Sequence, residues 1–278
     1  MMKKWIAVLT AAMMVVSMAA CGSKDDTSDK KGSDDKKAET TDDQKYVEDK
    51  GTLVIGITDF EPMDYKDENG DWIGFDADLA KGFAESLGVD AEFVEINWDN
   101  KIMELDGKTI DCVWNGMTLT DEVLSSMECS NAYANNTQVV ILPKNVADKY
   151  PDVESLKDLQ FAVESGSAGM KALQDLGYNY TEVTSQADAL MEVAAGTSDA
   201  AVIDSLMAGA MVGEGTNYAD LVYTVVLNED EGEQYGLGFR KGSNLAAALN
   251  DYLAECSKNG TLMELAETYG IQAAIIEQ

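Results

Sequence analysis

Residues 51–88 read GTLVIGITDFEPMDYKDENGDWIGFDADLAKGFAESLG and contain the signals of a strand, a turn and a helix in succession. The apolar run 53–57 has the length and composition of a strand, and it ends just before Asp59. The segment 67–70, Asp-Glu-Asn-Gly, predicts a turn because Asn and Gly tolerate a positive φ. A helix follows, because the next apolar residues are spaced for one helical face: Leu79, Phe83, Ala84 and Leu87.

The rest of the chain alternates strand and helix signals, which favours an α/β protein with mostly parallel sheets. The predicted strands are 91–96, 111–115, 137–142, 160–164, 180–183, 200–203, 221–226 and 235–239. The predicted helices after position 180 are 185–195, 245–256 and 262–269. The segment 228–233 is acidic and is predicted to be a surface loop.

Composition excludes several classes of function. The chain has 278 residues, 45% of them apolar, which is enough for one or two domains with hydrophobic cores. A net charge of −31 argues against nucleic acid and anionic membrane as partners. There is no His, and Arg240 is the single arginine, so a His-based triad, a His–metal site and an arginine clamp are largely excluded. We therefore expect no metal and no cofactor.

Residues 1–20 are predicted to be a signal peptide, because Lys3 and Lys4 precede an apolar segment that is short for a membrane-spanning helix. The sequence MAAC at 18–21 resembles a bacterial lipobox. That resemblance implies cleavage before Cys21 and its lipidation, with acyl chains such as palmitate holding the protein on the outer face of a membrane. Ordinary secretion with an incidental cysteine is the alternative.

Residues 21–45 contain mainly Asp, Lys, Ser and Thr and no large apolar residue before Tyr46. Such a segment cannot bury enough surface to offset the entropy of ordering it, so we predict a disordered tether.

The cysteines leave two readings open. An exported protein can oxidise Cys112 and Cys129 to a disulfide, but their spacing alone does not fix their distance. Two packed thiols are the alternative.

The opening stretch also resembles a known family. A strand ending in Thr58-Asp59, the nearby Pro62, the Asn69-Gly70 turn and the helix opening at 74–76 are similar to the start of extracytoplasmic solute-binding proteins that serve ABC importers of polar amino acids. The resemblance extends over roughly residues 51–270. It implies a two-lobed, type II periplasmic-binding-protein-like fold with two hinge crossings, and a ligand that is trapped between the lobes when they close. The implied lobes are 46–141 plus 235–278, and 142–234.

The resemblance also implies ligand-binding positions. Asp59 and Phe60 match an acidic and aromatic pair after the first strand, although the loop is about two residues shorter here, so Met63 or Tyr65 is an alternative to Phe60. Trp98 matches an aromatic residue that faces the ligand, the alternative being an ordinary core ring.

The remaining matches concern the ligand's amine and carboxylate. Gly116 and Thr118 match positions whose carbonyl and hydroxyl hold these groups, and Ser167 and Ala168 match a helix start whose N–H groups bind the carboxylate. Asp204 matches the acid that pairs with the α-ammonium, and an N-cap role is its alternative.

Two positions depart from the family pattern. Val123 stands where the family usually has the arginine that grips the ligand carboxylate, and Glu164 stands where the family often has an uncharged contact. Lys101 is a possible substitute for the arginine, or else a solvated surface lysine. Together with Asp59 and Asp204, Glu164 predicts an acidic cleft, and unpaired buried carboxylates favour a cationic or amine-bearing ligand. We therefore expect poor binding of dicarboxylic amino acids and a relaxed requirement for the ligand carboxylate.

The sequence therefore predicts a monomeric, lipid-anchored binding protein that delivers a polar amino acid or related amine to an ABC permease. One alternative is an enzyme on the same fold, a dehydratase or glycan-cleaving enzyme, with Glu164 as its acid or base. A sensory binding lipoprotein is the other alternative.

Overall fold

The structure is a computed structural model and describes residues 41–228 and 232–278. The predicted signal peptide, Cys21, most of the predicted tether and the centre of the acidic loop lie outside the described residues. Within the described ranges, no helix is long and apolar enough to cross a membrane.

Thirteen strands and nine α-helices make up the described part of the chain. The strands are β1 (Thr52–Ile57), β2 (Tyr65–Lys66), β3 (Trp72–Ile73), β4 (Asp90–Glu95), β5 (Cys112–Thr118), β6 (Met127–Cys129), β7 (Ala134–Asn136), β8 (Gln138–Pro143), β9 (Gln160–Glu164), β10 (Asn179–Val183), β11 (Ala200–Asp204), β12 (Leu221–Val226) and β13 (Glu233–Arg240). The helices are α1 (Asp43–Lys50), α2 (Phe75–Ser86), α3 (Lys101–Asp106), α4 (Asp121–Ser126), α5 (Ala168–Leu176), α6 (Gln186–Ala195), α7 (Ser205–Met211), α8 (Leu245–Asn259) and α9 (Thr261–Thr268).

Two separate sheets form the bases of two lobes. The first has the strand order β4-β1-β5-β13-β6, with β7 also paired to β13, and the second has the order β10-β9-β11-β8-β12. This arrangement confirms the predicted two-lobed α/β class. Each sheet is mixed rather than mostly parallel, because β13 runs antiparallel to β5 and β8 runs antiparallel to β11. Strands β8 and β13 each come directly after a crossing, where the chain passes from one sheet to the other.

The chain passes between the sheets twice, once at Thr137 and once between β12 and β13. The predicted lobe boundary at 141–142 is therefore too late, since Gln138 already pairs with β11 in the second sheet. The apolar run 137–142 reads as a strand in either sheet, so its sequence did not reveal which sheet it joins. The two crossings touch, because Leu227 donates its backbone N–H to the Gln138 carbonyl at 2.9 Å.

The first helix corrects the predicted extent of the tether. The sequence assigned residues up to 45 to a disordered segment, yet α1 begins at Asp43. Distant parts of the chain hold it: the Arg240 guanidinium pairs with Asp43 at 2.9 Å and also donates to the Ile110 carbonyl at 3.0 Å. The single arginine therefore anchors this helix to the first lobe.

The opening stretch folds as its residue pattern predicts. Alternate side chains of β1 face the core, with Leu53 and Ile55 fully buried, and Gly70 closes its turn by donating to the Asp67 carbonyl at 3.0 Å. The apolar face of α2, which includes Phe83, packs into the same core. The end of β1 thereby points toward the second lobe.

Cys112 and Cys129 are both free thiols. They lie on strands β5 and β6, which pair with opposite edges of β13. Two strand spacings of about 4.8 Å separate such strands, and this exceeds the Cα separation of about 7 Å that a disulfide can span. The structure thus supports packed thiols.

Candidate functional site

A cavity of about 500 Å³ lies between the two lobes. The first lobe lines it with Trp98, Asp99, Lys101, Ile102, Asn115, Gly116, Met117, Thr118, Thr120, Asp121, Glu122 and Val123. The second lobe lines it with Glu164, Gly166, Ser167, Ala168, Met170, Lys171, Gln174, Gln186 and Asp204. Seven of the nine predicted ligand-binding residues are therefore brought together: Trp98, Gly116, Thr118, Glu164, Ser167, Ala168 and Asp204.

The other two predicted residues do not line the cavity. Asp59 is exposed, and Phe60 is buried with its ring edge-on to Tyr235 at a centroid distance of 6.4 Å. Neither alternative to Phe60 replaces it, since Met63 is fully buried in the core and Tyr65 packs against another ring. The loop after β1 is short, and the Phe60 ring packs against Gly116 on the side away from the cavity.

The cavity floor is the end of β5, where a glycine is required. Gly116 has a φ of +52°, and a Cβ there would lie 2.5 Å from the Phe60 ring. Buried carboxyls hold this backbone in place: Gly116 donates its N–H to Asp76 at 2.7 Å, and Asn115 donates its side-chain amide to Asp64 at 2.8 Å.

Asp204 ends strand β11 and is buried at the cavity wall. Asp204 occupies the N-cap position of α7, as the alternative expected, but its side chain makes no capping hydrogen bond. The carboxyl instead accepts hydrogen bonds from the amides of Gln138, at 2.7 Å, and of Asn136 and Gln186. Burial and then the nearby Glu233 raise the pKa of Asp204 to about 7, although the three amides oppose that rise.

Glu233 is a site residue that the sequence missed. It accepts hydrogen bonds from Gln138 at 2.8 Å, Thr118 at 3.1 Å and Asn136 at 3.2 Å. Thr118 belongs to the first lobe, and Asn136 and Gln138 lie just before and just after the first crossing. Glu233 begins β13, directly after the second crossing. No local pattern distinguishes it from the acidic loop that precedes it. Because the Thr118 hydroxyl donates to Glu233, its oxygen is oriented to accept from a ligand amine.

Glu164 ends strand β9 next to β11 and is 2% exposed. Its Oε1 atom has no hydrogen-bond partner among the described residues. Burial and then Asp204 raise the pKa of Glu164 to about 8, against the opposing effects of Thr58 and Lys101. The raised pKa favours the protonated form of this side chain, which lines the cavity.

Trp98, Val123 and Lys101 form the wall contributed by the first lobe. Trp98 and Val123 belong to one buried apolar cluster and also line the cavity, so Trp98 combines the core and site roles. Lys101 is 8% exposed, which makes the surface-lysine alternative wrong. Its ammonium lies 4.9 Å from the Trp98 ring centroid. Burial lowers the pKa of Lys101, while the nearby Glu122, Glu164 and Asp99 carboxylates oppose this.

The two lobes touch beside this wall. Gly166, in the turn before α5, has a φ of +72°, and a Cβ there would lie 2.6 Å from the Asp99 Cα atom. The Lys101 ammonium donates across this contact to the Gly166 carbonyl at 3.0 Å. Ser167 caps α5 by accepting from the Met170 N–H at 3.1 Å, so its hydroxyl serves the helix. The lobes are therefore in contact around the cavity.

A family model for bacterial extracellular solute-binding proteins, family 3, matches residues 53–272. The chain belongs to this family. The arginine-binding extracellular protein of Bacillus subtilis (strain 168) is 28% identical over 272 residues, which is 95% of this chain and 96% of that protein.

Solved structures agree with this assignment. A mutant of ArgBP from T. maritima is 33% identical, with a TM-score of 0.75, 82% of this chain covered and 98% of that one. An ancestral amino acid-binding protein, a precursor of cyclohexadienyl dehydratase, is 32% identical, with a TM-score of 0.73 and coverage of 82% and 99%.

In this member of the solute-binding family, charge at the cavity is mostly negative. Five carboxyl side chains line it against two lysines, and one of those, Lys171, is exposed and paired with Asp175. Across the described ranges, no group of three or more Asp, Glu or Cys side chains is placed to hold a metal ion.

Proposed function

We propose that this protein is a lipid-anchored extracytoplasmic binding protein that captures a cationic amino acid of the arginine class and delivers it to an ABC permease. The family membership and the relatives that bind arginine support this proposal. The anchor is Cys21, on the strength of the lipobox-like sequence that precedes it.

The observation that carries the ligand class is the pair of buried carboxyls, Glu164 and Asp204, at one cavity wall. An unpaired buried carboxylate is unfavourable, and a cation that hydrogen-bonds to it removes that penalty. Trp98 adds apolar surface to the same cavity, while its ring already lies 4.9 Å from the Lys101 ammonium. An anionic ligand would meet like charges at the same wall.

Each group of the ligand then has a partner. Asp204 pairs with the α-ammonium, beside the accepting oxygen of Thr118. Glu164, which lines the cavity, takes the cationic end of the side chain. At the start of α5 the Ser167 N–H is already donated to the Glu164 carbonyl at 3.3 Å, so the Ala168 N–H is the one left for the carboxylate.

Calorimetry with L-arginine, L-lysine, L-glutamine and L-glutamate tests the ligand class. We expect arginine or lysine to bind most tightly and glutamate not to bind. Asp204→Ala should weaken arginine binding by about 2–5 kcal/mol, the range for breaking a buried charge pair. The matched control is Glu154→Ala, an exposed carboxylate paired with Lys157 outside the cavity, which should leave affinity unchanged. Glutamate binding more tightly than arginine contradicts the proposal.

Two further experiments test anchoring and delivery. Cys21→Ser should move the protein from the membrane fraction to the soluble fraction of exported protein. Deleting the gene should abolish uptake of labelled arginine at low concentration, and the unsubstituted gene should restore it. Unchanged uptake after deletion contradicts a transport role and favours sensing.

Glu164 also supports an enzymatic candidate. A buried carboxylic acid that stays protonated at neutral pH is suited to act as a general acid, and one similar protein is a precursor of a dehydratase. In such a reaction Glu164 would protonate a leaving hydroxyl as water departs, and loss of the ring carboxylate as carbon dioxide would supply the electron pair that makes the ring aromatic. Incubation with a cyclohexadienyl acid, followed by ultraviolet absorbance of the aromatic product, tests this. Turnover that Glu164→Gln abolishes would favour the enzyme.

A further inference from the structure

We propose that Lys101, acting from helix α3, receives the carboxylate of the bound amino acid and so supplies the positive charge that Val123 does not. This assignment rests on the proposed function and names the residue that makes the site select an amino acid over a simple amine.

Lys101 is the only lysine classed as buried within residues 41–228 and 232–278. Its ammonium donates to two backbone carbonyls, Trp98 at 3.2 Å and Gly166 at 3.0 Å. An ammonium has three N–H donors, and the structure gives this one no third acceptor within the described ranges. Because the residue lines the cavity, a ligand atom is the acceptor available to the third donor.

The surroundings favour an anionic acceptor over a neutral one. The two carbonyls that bind Lys101 carry no formal charge, and no carboxylate lies within salt-bridge distance of its ammonium among the described residues. Arg240, the other buried cation in the described part of the chain, is paired directly with the carboxylates of Asp43 and Asp111. Carboxylates near Lys101 act on its charge from a distance, and its third N–H is left for a direct ion pair with a ligand.

Position also favours the carboxylate end of the ligand. The Gly166 carbonyl that holds the ammonium precedes the first turn of α5, whose N–H group at Ala168 suits an anion. An anion between them would contact positive partners from both lobes. The relaxed carboxylate requirement expected from the sequence depended on having no cation here, so this proposal predicts a strict requirement instead.

The test compares L-arginine with agmatine and L-argininamide, which lack the carboxylate charge, on the full processed protein by calorimetry. The unsubstituted protein should bind arginine at least about tenfold more tightly than either analogue, as expected for a hydrogen bond to a charged group. Lys101→Met should remove that preference by weakening arginine more than either analogue, since the lost hydrogen bond to the Gly166 carbonyl affects all three compounds. Lys101→Arg should retain a preference of threefold or more. The control is Lys157→Met, an exposed lysine paired with Glu154 outside the cavity, which should behave as the unsubstituted protein.

The outcomes separate this assignment from the proposed ligand class. If Lys101→Met weakens all three compounds equally, the lysine is only a contact between the lobes and the assignment is wrong, while the ligand class stands. If the unsubstituted protein binds arginine and agmatine equally, the assignment is also wrong. If arginine, lysine and histidine all fail to bind, the ligand class and the assignment fall together. Thermal unfolding of each variant verifies that it is folded before binding is compared.

Discussion

Gly166→Ala should weaken ligand binding by preventing the contact between the lobes. A Cβ at this position would lie 2.6 Å from the Asp99 Cα atom, and backbone on both sides leaves no flexible side chain to move away. Gly177→Ala is the matched control, because Gly177 has a similar φ of +70° but open space around its Cβ position. Both substitutions place an L-residue in the left-handed region, so both should lose about 1–2 kcal/mol of folding stability.

The additional effect at Gly166 can be worked from the distances. Carbon atoms pack at about 3.5–4.0 Å, so the lobes must separate by about 1 Å at this contact. The hydrogen bond from Lys101 to the Gly166 carbonyl, now 3.0 Å, then lengthens beyond a normal hydrogen bond. Losing one hydrogen bond that involves a charged group removes about 1.5–3 kcal/mol, or roughly 10- to 150-fold in affinity.

Calorimetric titration with L-arginine measures this difference directly, and thermal unfolding measures the strain that the two variants share. Gly166→Ala and Gly177→Ala should melt at similar temperatures, yet only the first should bind arginine more weakly. Small-angle scattering with saturating arginine should show a larger radius of gyration for Gly166→Ala. Equal arginine affinities in the two variants would refute the reasoning, because the contact at Gly166 would then not belong to the ligand-bound arrangement.

Three further predictions concern charge. A bound cation favours the ionised forms of Glu164 and Asp204, whose pKa values are raised to about 8 and about 7. Arginine binding should therefore release protons at pH 7, and it should weaken as pH falls from about 8 to 6. Calorimetry in buffers of different ionisation enthalpy measures both effects. A carboxyl whose pKa is raised in the folded state contributes stability below its unfolded pKa, and this stability is lost as pH rises through the folded pKa. The ligand-free protein should therefore melt at a lower temperature at pH 8 than at pH 6. Glu164→Gln should reduce that difference in melting temperature. A steeper loss in the variant would contradict the assignment. Arg240→Met leaves Asp43 unpaired and should lower the free energy of unfolding by about 3–5 kcal/mol in urea titrations, whereas arginine affinity of the folded variant should not change.

Local patterns predicted most of the fold because strands and helices here bury regular faces. The strands 160–164 and 221–226 were predicted with the bounds that the structure has. Helix α1 was missed because its order depends on Arg240, which lies 197 residues away. The lobe boundary was misplaced because strand pairing, and not strand composition, decides which sheet Gln138 joins.

The site divides in the same way. Glu164 and Asp204 could be predicted because both end strands, β9 and β11, that are parallel neighbours, and such strand ends meet at one edge of a sheet. The role of Lys101 could only be weighed as an alternative, because its acceptor at Gly166 belongs to the other lobe. Glu233 gave no signal, because its importance comes from the amides of Asn136 and Gln138.

Those amides connect ligand charge to the crossings between the lobes. The Gln138 side-chain amide donates to Asp204 at 2.7 Å and to Glu233 at 2.8 Å, so it joins a ligand-facing carboxyl to the start of β13. The proximity of Glu233 raises the pKa of Asp204, after the larger effect of burial, which means that the two carboxylates repel each other when both are ionised. A ligand ammonium at Asp204 offsets that repulsion at the point where the chain passes between the lobes. Binding of an ammonium at Asp204 and stabilisation of the crossings are therefore linked electrostatically, and a ligand of equal size without an ammonium would gain only the buried area.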